Sequence, residues 1–270
     1  MEQQTYAVTG VATGIGADLV RILRASGHRV IGFDIKDASD DVDLFIPLDL
    51  NDPASISEAA AALKEPIDGL CNNAGVAPIE GAEAVILQVN FIGQRDFSNR
   101  VMPQIRKGGA VVNMASRAGH AWMENLEQVK RLAALSGPDD LPDFVASEGL
   151  AATRCYNLTK EAMILWTQAI TEPLFKPDIR AVSLSPGGIA TGLLDDFRRA
   201  FGDIMASNVA RAGRPGRSDE VAQVAAFALS RAAYWLKGVD IPIDGGMGAF
   251  NLTDRLGLEC LRGQEAEVNA

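Results

Sequence analysis

Short apolar runs alternate with longer amphipathic segments along most of this chain, and this alternation constrains the fold more than any other feature. Most of the short runs are almost continuously apolar, which is typical of strands buried on both faces of a parallel sheet. The predicted strands are Tyr6–Thr9, Arg29–Phe33, Leu44–Leu48, Gly69–Cys71, Ala110–Asn113, Ile179–Leu184 and Val239–Ile243. The predicted helices are Gly14–Ser26, Pro53–Leu63, Ala84–Arg106, Arg154–Phe175 and Asp219–Ser230.

Repeated strand–helix–strand units form right-handed crossovers, so the pattern predicts an α/β fold with a doubly wound parallel sheet of about seven strands and helices on both faces. No internal repeat or low-complexity linker divides the 270 residues. We therefore expect a single domain over residues 1–250 and a C-terminal tail over residues 251–270. Two stretches fit the alternation poorly, residues 117–152 and residues 188–217.

Composition excludes several classes of function. The formal net charge is −10 and the pI about 4.8, with no basic stripe, so we expect no nucleic-acid partner. Three cysteines and two histidines provide neither a disulfide framework nor the ligand spacing of a zinc site, so we expect a reducing compartment and no metal. No apolar run approaches the ~20 residues of a membrane helix, and the N-terminus lacks the features of a signal peptide. These observations predict a cytoplasmic protein without a membrane partner.

A glycine-rich turn joins the first predicted strand to the first predicted helix. Its sequence is Thr9-Gly10-Val11-Ala12-Thr13-Gly14-Ile15-Gly16. Glycines let backbone N–H groups approach a pyrophosphate, and the following helix N-terminus adds donors and a positive dipole end. No lysine follows the last glycine, which excludes the P-loop of nucleotide triphosphatases. The predicted cofactor-binding residues of this turn are Gly10, Thr13, Gly14, Ile15 and Gly16.

An acidic residue, Asp34, ends the second predicted strand. A carboxylate about 20 residues beyond a glycine turn is placed to bind the hydroxyls of an adenosine ribose, and it repels a 2′-phosphate. We therefore expect NAD(H) to be preferred over NADP(H). Lys36, two residues further on, is the one nearby cation that weakens this prediction.

Tyr156 and Lys160 are four residues apart in a predicted helix, so they share one face. A phenol has a pKa near 10 and is a poor base at neutral pH. A neighbouring ammonium group stabilises the phenolate, and a pKa lowered by about two to three units makes Tyr156 a usable general acid and base. An ordinary surface pair has the same spacing, so the catalytic interpretation depends on the accompanying glycine turn.

Ser116 follows the predicted strand Ala110–Asn113, and residues just beyond the carboxyl end of a parallel strand lie where such sheets bind ligands. Its hydroxyl is a candidate to hold a substrate oxygen. No G-x-S-x-G sequence surrounds it, which excludes the nucleophile elbow of α/β-hydrolases. His120 has no recognisable third partner and is interpreted as a loop histidine.

Taken in order, these motifs resemble the short-chain dehydrogenase/reductase family over nearly the whole chain, and that resemblance implies a Rossmann-fold, NAD-binding catalytic domain. Asn90 resembles the asparagine that holds a water in the family's proton relay, which gives the predicted catalytic set Asn90, Ser116, Tyr156 and Lys160. Tyr156 and Lys160 are also predicted cofactor contacts. The resemblance further assigns to cofactor binding Asp49, Leu50, Asn73, Ala74, Gly75, Pro186, Gly187, Ile189 and Thr191. Residues 188–217 are similar to the family's substrate lid, although an amphipathic helix packed on the core accounts equally for their pattern.

One departure from the family pattern is informative. About 40 residues separate Ser116 from Tyr156, where most of the family has roughly a dozen, so residues 117–152 are predicted to be an insertion. A similar insertion occurs in the bacterial 3α-hydroxysteroid dehydrogenase/carbonyl reductase branch. That resemblance implies NAD(H) and an alicyclic or steroid-like alcohol. It also implies an altered oligomer, because the insertion can obstruct the family's usual helix-bundle interface, and we expect a homodimer or homotetramer. The alternative that the insertion has no role in substrate binding remains open.

The sequence thus predicts reversible hydride transfer between NAD and a small apolar secondary alcohol or its ketone. A reductase of 3-oxoacyl or other small carbonyl compounds is a second reading of the same residues. A non-catalytic NAD-binding sensor is a third, although a sensor has no need of the complete catalytic set.

Overall fold

The central element of the computed structural model, which describes residues 2–190, 192, 199–202, 207 and 209–262, is a sheet of seven parallel strands. The spatial order is β3-β2-β1-β4-β5-β6-β9, so the chain reverses its direction of travel between β1 and β4. These strands are β1 (Thr5–Thr9), β2 (Arg29–Asp34), β3 (Leu44–Pro47), β4 (Ile67–Asn72), β5 (Ile105–Met114), β6 (Arg180–Pro186) and β9 (Asp240–Ile243). A separate two-stranded sheet pairs β7 (Ile189–Ala190) with β8 (Gly216–Arg217). The predicted doubly wound parallel sheet is confirmed.

Helices cover both faces of this sheet, as buried strands require. In the described residues they are α1 (Gly14–Ala25), α2 (Pro53–Ala62), α3 (Glu83–Leu87), α4 (Gly93–Val101), α5 (Leu126–Ala133), α6 (Leu141–Glu148), α7 (Ala152–Ala169), α8 (Ser218–Leu229) and α9 (Met247–Leu256). Helices α1 and α8 pack on one face, where Val112 of β5 points. Helices α2 and α4 pack on the other, where the adjacent Val111 points.

The predicted helix Ala84–Arg106 is wrong in two respects. A five-residue π-helical turn, Gln88–Ile92, separates α3 from α4. A short 3-10 turn containing Pro103 then ends the helical segment, and β5 already begins at Ile105. The apolar spacing continues through both breaks, so periodicity alone does not reveal them. The predicted helix Arg154–Phe175 instead runs from Ala152 to Ala169, and a separate 3-10 turn covers its last three predicted residues.

The insertion folds into two short helices, α5 and α6, which pack on α3 and α7. Val129 and Leu132 of α5 and Phe144 of α6 are buried in one apolar cluster with Leu158 of α7. At the other end of the chain, α9 crosses residue 250, where the sequence suggests that a tail begins. Among the described residues no helix is both long and apolar enough to span a bilayer.

Arg180, at the start of β6, is a charged side chain only 2% exposed. Its guanidinium donates hydrogen bonds to five backbone carbonyls: Ala228, Leu229 and Ser230 at 2.9, 2.8 and 2.6 Å, and Gly108 and Gly109 at 3.2 and 3.4 Å. The first three belong to the C-terminal end of α8, where unsatisfied carbonyls carry the negative end of the helix dipole. The cation therefore joins the last turn of α8 to β5 and β6.

We expect Arg180→Leu to lower the free energy of unfolding by about 3 kcal/mol, because it leaves several buried carbonyls without donors. For a domain of this size that loss lowers Tm by roughly 6–12 °C in a thermal melt. Arg21→Leu, at a side chain 69% exposed and paired with Asp18, is the control and should cost under about 0.5 kcal/mol. Equal melting temperatures for the two variants would contradict a structural role for the buried cation.

Candidate active site

The strand order brings the predicted site residues together at one edge of the sheet. The carboxyl ends of β1 and β4 meet where the chain reverses direction, and open α/β sheets bind ligands in the crevice at that point. The glycine turn follows β1, Asn73 follows β4 and Ser116 lies two residues beyond β5. Residues distant in sequence are therefore neighbours in a single crevice.

The glycine turn has the backbone geometry that its sequence predicts. Gly10 and Gly14 have φ values of +72° and +61°, which favour glycine over residues with a side chain. A Cβ on Gly16 would lie 1.9 Å from the carbonyl oxygen of Gly10, so a side chain there cannot be accommodated. Thr13 is the N-cap of α1 and makes no side-chain capping bond, while Ile15 packs against the core. The first N–H groups of α1 thus face the crevice without a side-chain cap.

Thr9 and Asn73 join the turn to the neighbouring strand. The hydroxyl of Thr9 accepts hydrogen bonds from the backbone N–H groups of Asn73 and Ala74, both at 3.0 Å. In return the Asn73 amide donates to the carbonyls of Thr9 and Gly10 at 3.1 and 3.0 Å. Gly75 follows and is exposed in the crevice. These reciprocal bonds fix the turn relative to β4.

The carboxylate of Asp34 is half-buried at the end of β2. It accepts hydrogen bonds from the backbone N–H groups of Ala12, in the glycine turn, and of Lys36, both at 2.9 Å. Nearby, Asp49 accepts from Asn51 N–H at 2.8 Å, and Leu50 is buried beside it. Asp34 thereby lies next to the glycine turn, as the sequence predicts.

Ser116, Tyr156 and Lys160 come together beyond the end of β5. The side chains of Ser116 and Tyr156 are hydrogen-bonded to each other. The ammonium group of Lys160 lies 5.6 Å from the centre of the Tyr156 ring and donates to the carbonyl of Met114 at 2.9 Å. Tyr156 and Lys160 are 7% and 5% exposed, so both functional groups are shielded from water.

Asn90 lies in the π-helical turn between α3 and α4. Its side-chain amide makes a reciprocal pair of hydrogen bonds with the backbone of Val76, at 2.8 and 3.0 Å. A Cβ on Gly75 would lie 3.1 Å from Asn90 Oδ1 and 3.9 Å from Lys160 Nζ, so both groups lie close to Gly75. π-Helical turns are frequent at functional sites, and this one holds the Asn90 amide against the backbone of Gly75 and Val76.

Burial moves the pKa values of the two central groups in opposite directions. Desolvation raises the pKa of Tyr156 to about 12, against the smaller lowering effect of its hydrogen bond with Ser116. Desolvation lowers the pKa of Lys160 to about 8. The sequence predicts a lowered pKa for Tyr156, and for the chain alone this is wrong, because loss of hydration disfavours the phenolate more than its neighbours stabilise it.

The remaining predicted cofactor residues follow β6. Pro186 ends that strand, and Gly187 N–H donates to the carbonyl of Ile243 at 3.0 Å. A Cβ on Gly187 would lie 2.4 Å from the terminal methyl group of Met247, so this backbone is in close contact with the start of α9. Ile189 begins the short strand β7. Thr191 lies outside the described residues, as does much of the predicted lid.

Sequence reasoning missed the polar contacts that attach the insertion to α7. Arg154 forms a two-bond ion pair with Glu161, at 2.9 and 2.7 Å, and the Glu161 side chain is only 1% exposed. From α5 and the turn before it, Gln128 accepts from Arg154 at 2.8 Å and Asn125 donates to Glu161 at 2.9 Å. Arg154 and Glu161 are two helical turns apart, on the face of α7 opposite Tyr156. The seven-residue spacing of these two opposite charges was the sequence signal that could have indicated the ion pair.

The chain is similar to known oxidoreductases over most of its length. Residues 4–127 match the family model described as short chain dehydrogenase, and residues 143–248 match the model described as Enoyl-(Acyl carrier protein) reductase. Coniferyl-alcohol dehydrogenase of Pseudomonas sp. strain HR199 is 35% identical over 92% of this chain and 98% of that protein. The 3-alpha-hydroxysteroid dehydrogenase/carbonyl reductase of Comamonas testosteroni is 28% identical over 90% and 95%.

A solved structure has a similar fold. The 3-alpha-hydroxysteroid dehydrogenase from Pseudomonas sp. B-0831, crystallised in complex with NADH, superposes with a TM-score of 0.82. The sequences are 27% identical, and the match covers 92% of this chain and 98% of that one. Within the part of the chain that the structure describes, no group of three or more His, Cys, Asp or Glu residues is arranged to hold a metal ion.

We expect Glu161→Gln to weaken the attachment of the insertion to α7. The change leaves the Arg154 cation without its carboxylate, and loss of one partner from a buried pair costs about 3 kcal/mol. Limited proteolysis should then cut within residues 120–150 faster than in the wild-type protein. Asp96→Asn is the matched control, because Asp96 pairs with Arg100 on the exposed surface of α4. Equal cleavage rates in both variants would argue against this attachment.

Proposed function

Because the chain belongs to the short-chain dehydrogenase/reductase family, we propose that it interconverts an apolar alcohol and its carbonyl compound, with Tyr156 as the general acid and base and NAD(H) as the cofactor. The observation that carries the proposal is the arrangement of three side chains. Tyr156 is hydrogen-bonded to Ser116 and has the Lys160 ammonium 5.6 Å from its ring centre, in a shielded crevice beside the glycine turn. A phenol with a hydroxyl partner and a cation is suited to move one proton to or from a substrate oxygen.

The crevice fits a dinucleotide. Gly10 and Gly16 leave no side chain over the turn, so the backbone can closely approach a pyrophosphate at the N-terminus of α1. We propose that Asp34, which lies beside the glycine turn, binds the adenosine ribose, together with Asp49, Leu50 and the backbone of residues 73–75. The cofactor supplies the hydride acceptor or donor at its nicotinamide ring. Pro186, Gly187, Ile189 and Thr191 are the residues proposed to hold the nicotinamide end.

In the proposed mechanism Ser116 and the Tyr156 hydroxyl hold the substrate oxygen. During carbonyl reduction Tyr156 donates its proton to that oxygen, and the raised pKa of the phenol keeps the proton available at neutral pH. During alcohol oxidation Tyr156 accepts the hydroxyl proton as the hydride leaves the carbinol carbon. Lys160, with a pKa of about 8, is still mostly protonated at pH 7 and stabilises the phenolate. Asn90 is proposed to hold the water through which the proton exchanges with solvent.

The proposed substrate is an alicyclic or steroid-like secondary alcohol. Phe201 stands edge-on to Tyr156 with a ring separation of 6.1 Å, which gives the phenol an apolar neighbour. Relatives named for hydroxysteroids and for a hydroxycyclohexanecarboxylate support this class. A second candidate is an aryl-substituted primary alcohol, which the higher identity to coniferyl-alcohol dehydrogenase favours. Turnover of a panel of cyclic, aromatic and 3-oxoacyl compounds can be measured by the absorbance of NADH. The compounds that are turned over distinguish these two candidates from a small-carbonyl reductase, and turnover of none of them would favour the sensor.

We expect Tyr156→Phe to lower kcat by about 10²–10⁴-fold, because it removes the group that transfers the proton. The dissociation constant for NADH, measured by fluorescence titration, should stay within about threefold. Met123→Ala is a suitable control, since this insertion residue is 71% exposed. Full activity of Tyr156→Phe would eliminate Tyr156 as the acid and base.

The cofactor preference has its own test. We expect kcat/KM for NADH to exceed that for NADPH by at least about 30-fold, because the Asp34 carboxylate repels a 2′-phosphate. Asp34→Asn should narrow this ratio mainly by improving the use of NADPH. A wild-type enzyme that favours NADPH would show that Lys36 outweighs Asp34.

A further inference from the structure

The turn that carries Ser116 is held from two sides. Here the serine turn denotes residues 116–119, in which Arg117–Gly119 forms a single 3-10 turn. The hydroxyl of Ser116 accepts a hydrogen bond from Ala118 N–H at 3.1 Å, so the turn and the serine side chain are one unit. On one side a Cβ on Gly119 would lie 2.7 Å from the carbonyl of Lys160, which shows how closely the turn packs on α7.

On its other side the serine turn is joined to the C-terminal end of the sheet by an ion pair. Arg117 Nε lies 3.0 Å from Asp244 Oδ2, and the two side chains are 28% and 9% exposed. Asp244 directly follows β9, and its carboxylate also accepts hydrogen bonds from the backbone N–H groups of Gly246 and Gly248, at 3.0 and 2.8 Å. Gly248 is the second residue of α9, so the Asp244 carboxylate satisfies one N–H group of that helix's first turn while it pairs with Arg117.

Two features distinguish this pair from an ordinary surface ion pair. The Asp244 carboxylate is largely removed from water and has three hydrogen-bonding or charged partners, which makes the geometry specific. The guanidinium also lies against Gly248, where a Cβ would be 2.8 Å from Arg117 Nη2 and 2.9 Å from Asp244 Oδ2. A Cβ at position 248 would therefore force the ends of the Arg117 and Asp244 side chains to shift from this geometry.

We propose that Arg117 is a positioning residue that fixes Ser116 relative to Tyr156 through its ion pair with Asp244, and that α9 is thereby part of the active-site framework. This inference rests on the proposed function for its kinetic consequence. Arg117 is adjacent to Ser116 and belongs to the same short turn, so movement of its backbone is passed directly to the serine hydroxyl. A displacement of about 1 Å in a reacting group can cost 10²-fold in rate.

Three variants test the proposal. Arg117→Met keeps the apolar stem of the side chain and removes its charged guanidinium group, whereas Arg117→Lys keeps a positive charge. Gly248→Ala keeps both charged residues and displaces the guanidinium through the added methyl group. The control is Arg100→Met, which removes an exposed arginine of α4 that pairs with Asp96.

We expect Arg117→Met and Gly248→Ala to lower kcat by about 10–100-fold, with the dissociation constant for NADH within about threefold of wild type. Arg117→Lys should recover part of the loss, and Arg100→Met should have wild-type kcat. A wild-type kcat for Arg117→Met would overturn the proposal. It would also be overturned if NADH affinity and Tm fell together with kcat, since that result indicates general loss of structure.

A measurement that needs no substrate separates this inference from the proposed function. Hydrogen exchange at Ala118 and Gly119 reports on the serine turn, because both N–H groups are bonded within it. Faster exchange in the peptide covering residues 115–121 of Arg117→Met, compared with Arg100→Met, supports the coupling even if no alcohol is turned over. Unchanged exchange in that peptide would count against the coupling even in an active enzyme.

Discussion

Burial of the Lys160 ammonium group beside the Tyr156 phenol is the constraint on which the candidate active site depends. Among the residues that the structure describes, the ammonium has one hydrogen-bond partner, the backbone carbonyl of Met114, at 2.9 Å. A buried cation without a carboxylate partner is costly, and the fall of the Lys160 pKa to about 8 expresses this cost. Helix α7 holds the lysine there only because its other contacts are strong enough to compensate.

Some of the contacts that hold α7 come from parts of the chain that lie away from the crevice. Leu158 and Met163 of α7 belong to a buried apolar cluster that includes side chains of the insertion. The Arg154–Glu161 pair adds a polar connection on the face of the helix opposite Tyr156. Ala151, the residue that precedes α7, provides no side-chain cap, so the first turns of this helix depend on tertiary contacts for their order. The insertion therefore supports the helix that carries the proposed acid and base.

The sequence was sufficient for the parts of the site governed by local rules. The glycine turn, Asp34 at the end of β2 and Ser116 beyond β5 follow from strand ends and backbone conformation, which a pattern of residues can express. The π-helical turn at Asn90 was not predictable, since one extra residue in a helical turn leaves the apolar spacing almost unchanged. The Arg117–Asp244 pair joins positions far apart in sequence, and neither residue type has a pattern that identifies its partner. The prediction of a lowered pKa for Tyr156 failed for a different reason. The direction of this pKa shift depends on how deeply the phenol is buried, and the spacing of Tyr156 and Lys160 does not reveal that depth.

The opposite pKa shifts of Tyr156 and Lys160 affect the conditions under which the Tyr156 phenolate, the proposed base, can form. Both shifts have the same cause, since a shielded crevice disfavours the phenolate and the ammonium alike. A phenol with a pKa of about 12 keeps its proton at neutral pH, so the chain alone holds the acid form. In a medium of low dielectric constant an added positive charge acts strongly on a nearby ionisable group, and oxidised nicotinamide carries such a charge whereas the reduced form does not. Under the proposed function, the burial that opposes the phenolate in the empty crevice therefore also links its formation to the oxidised cofactor, and the acid form to the reduced one.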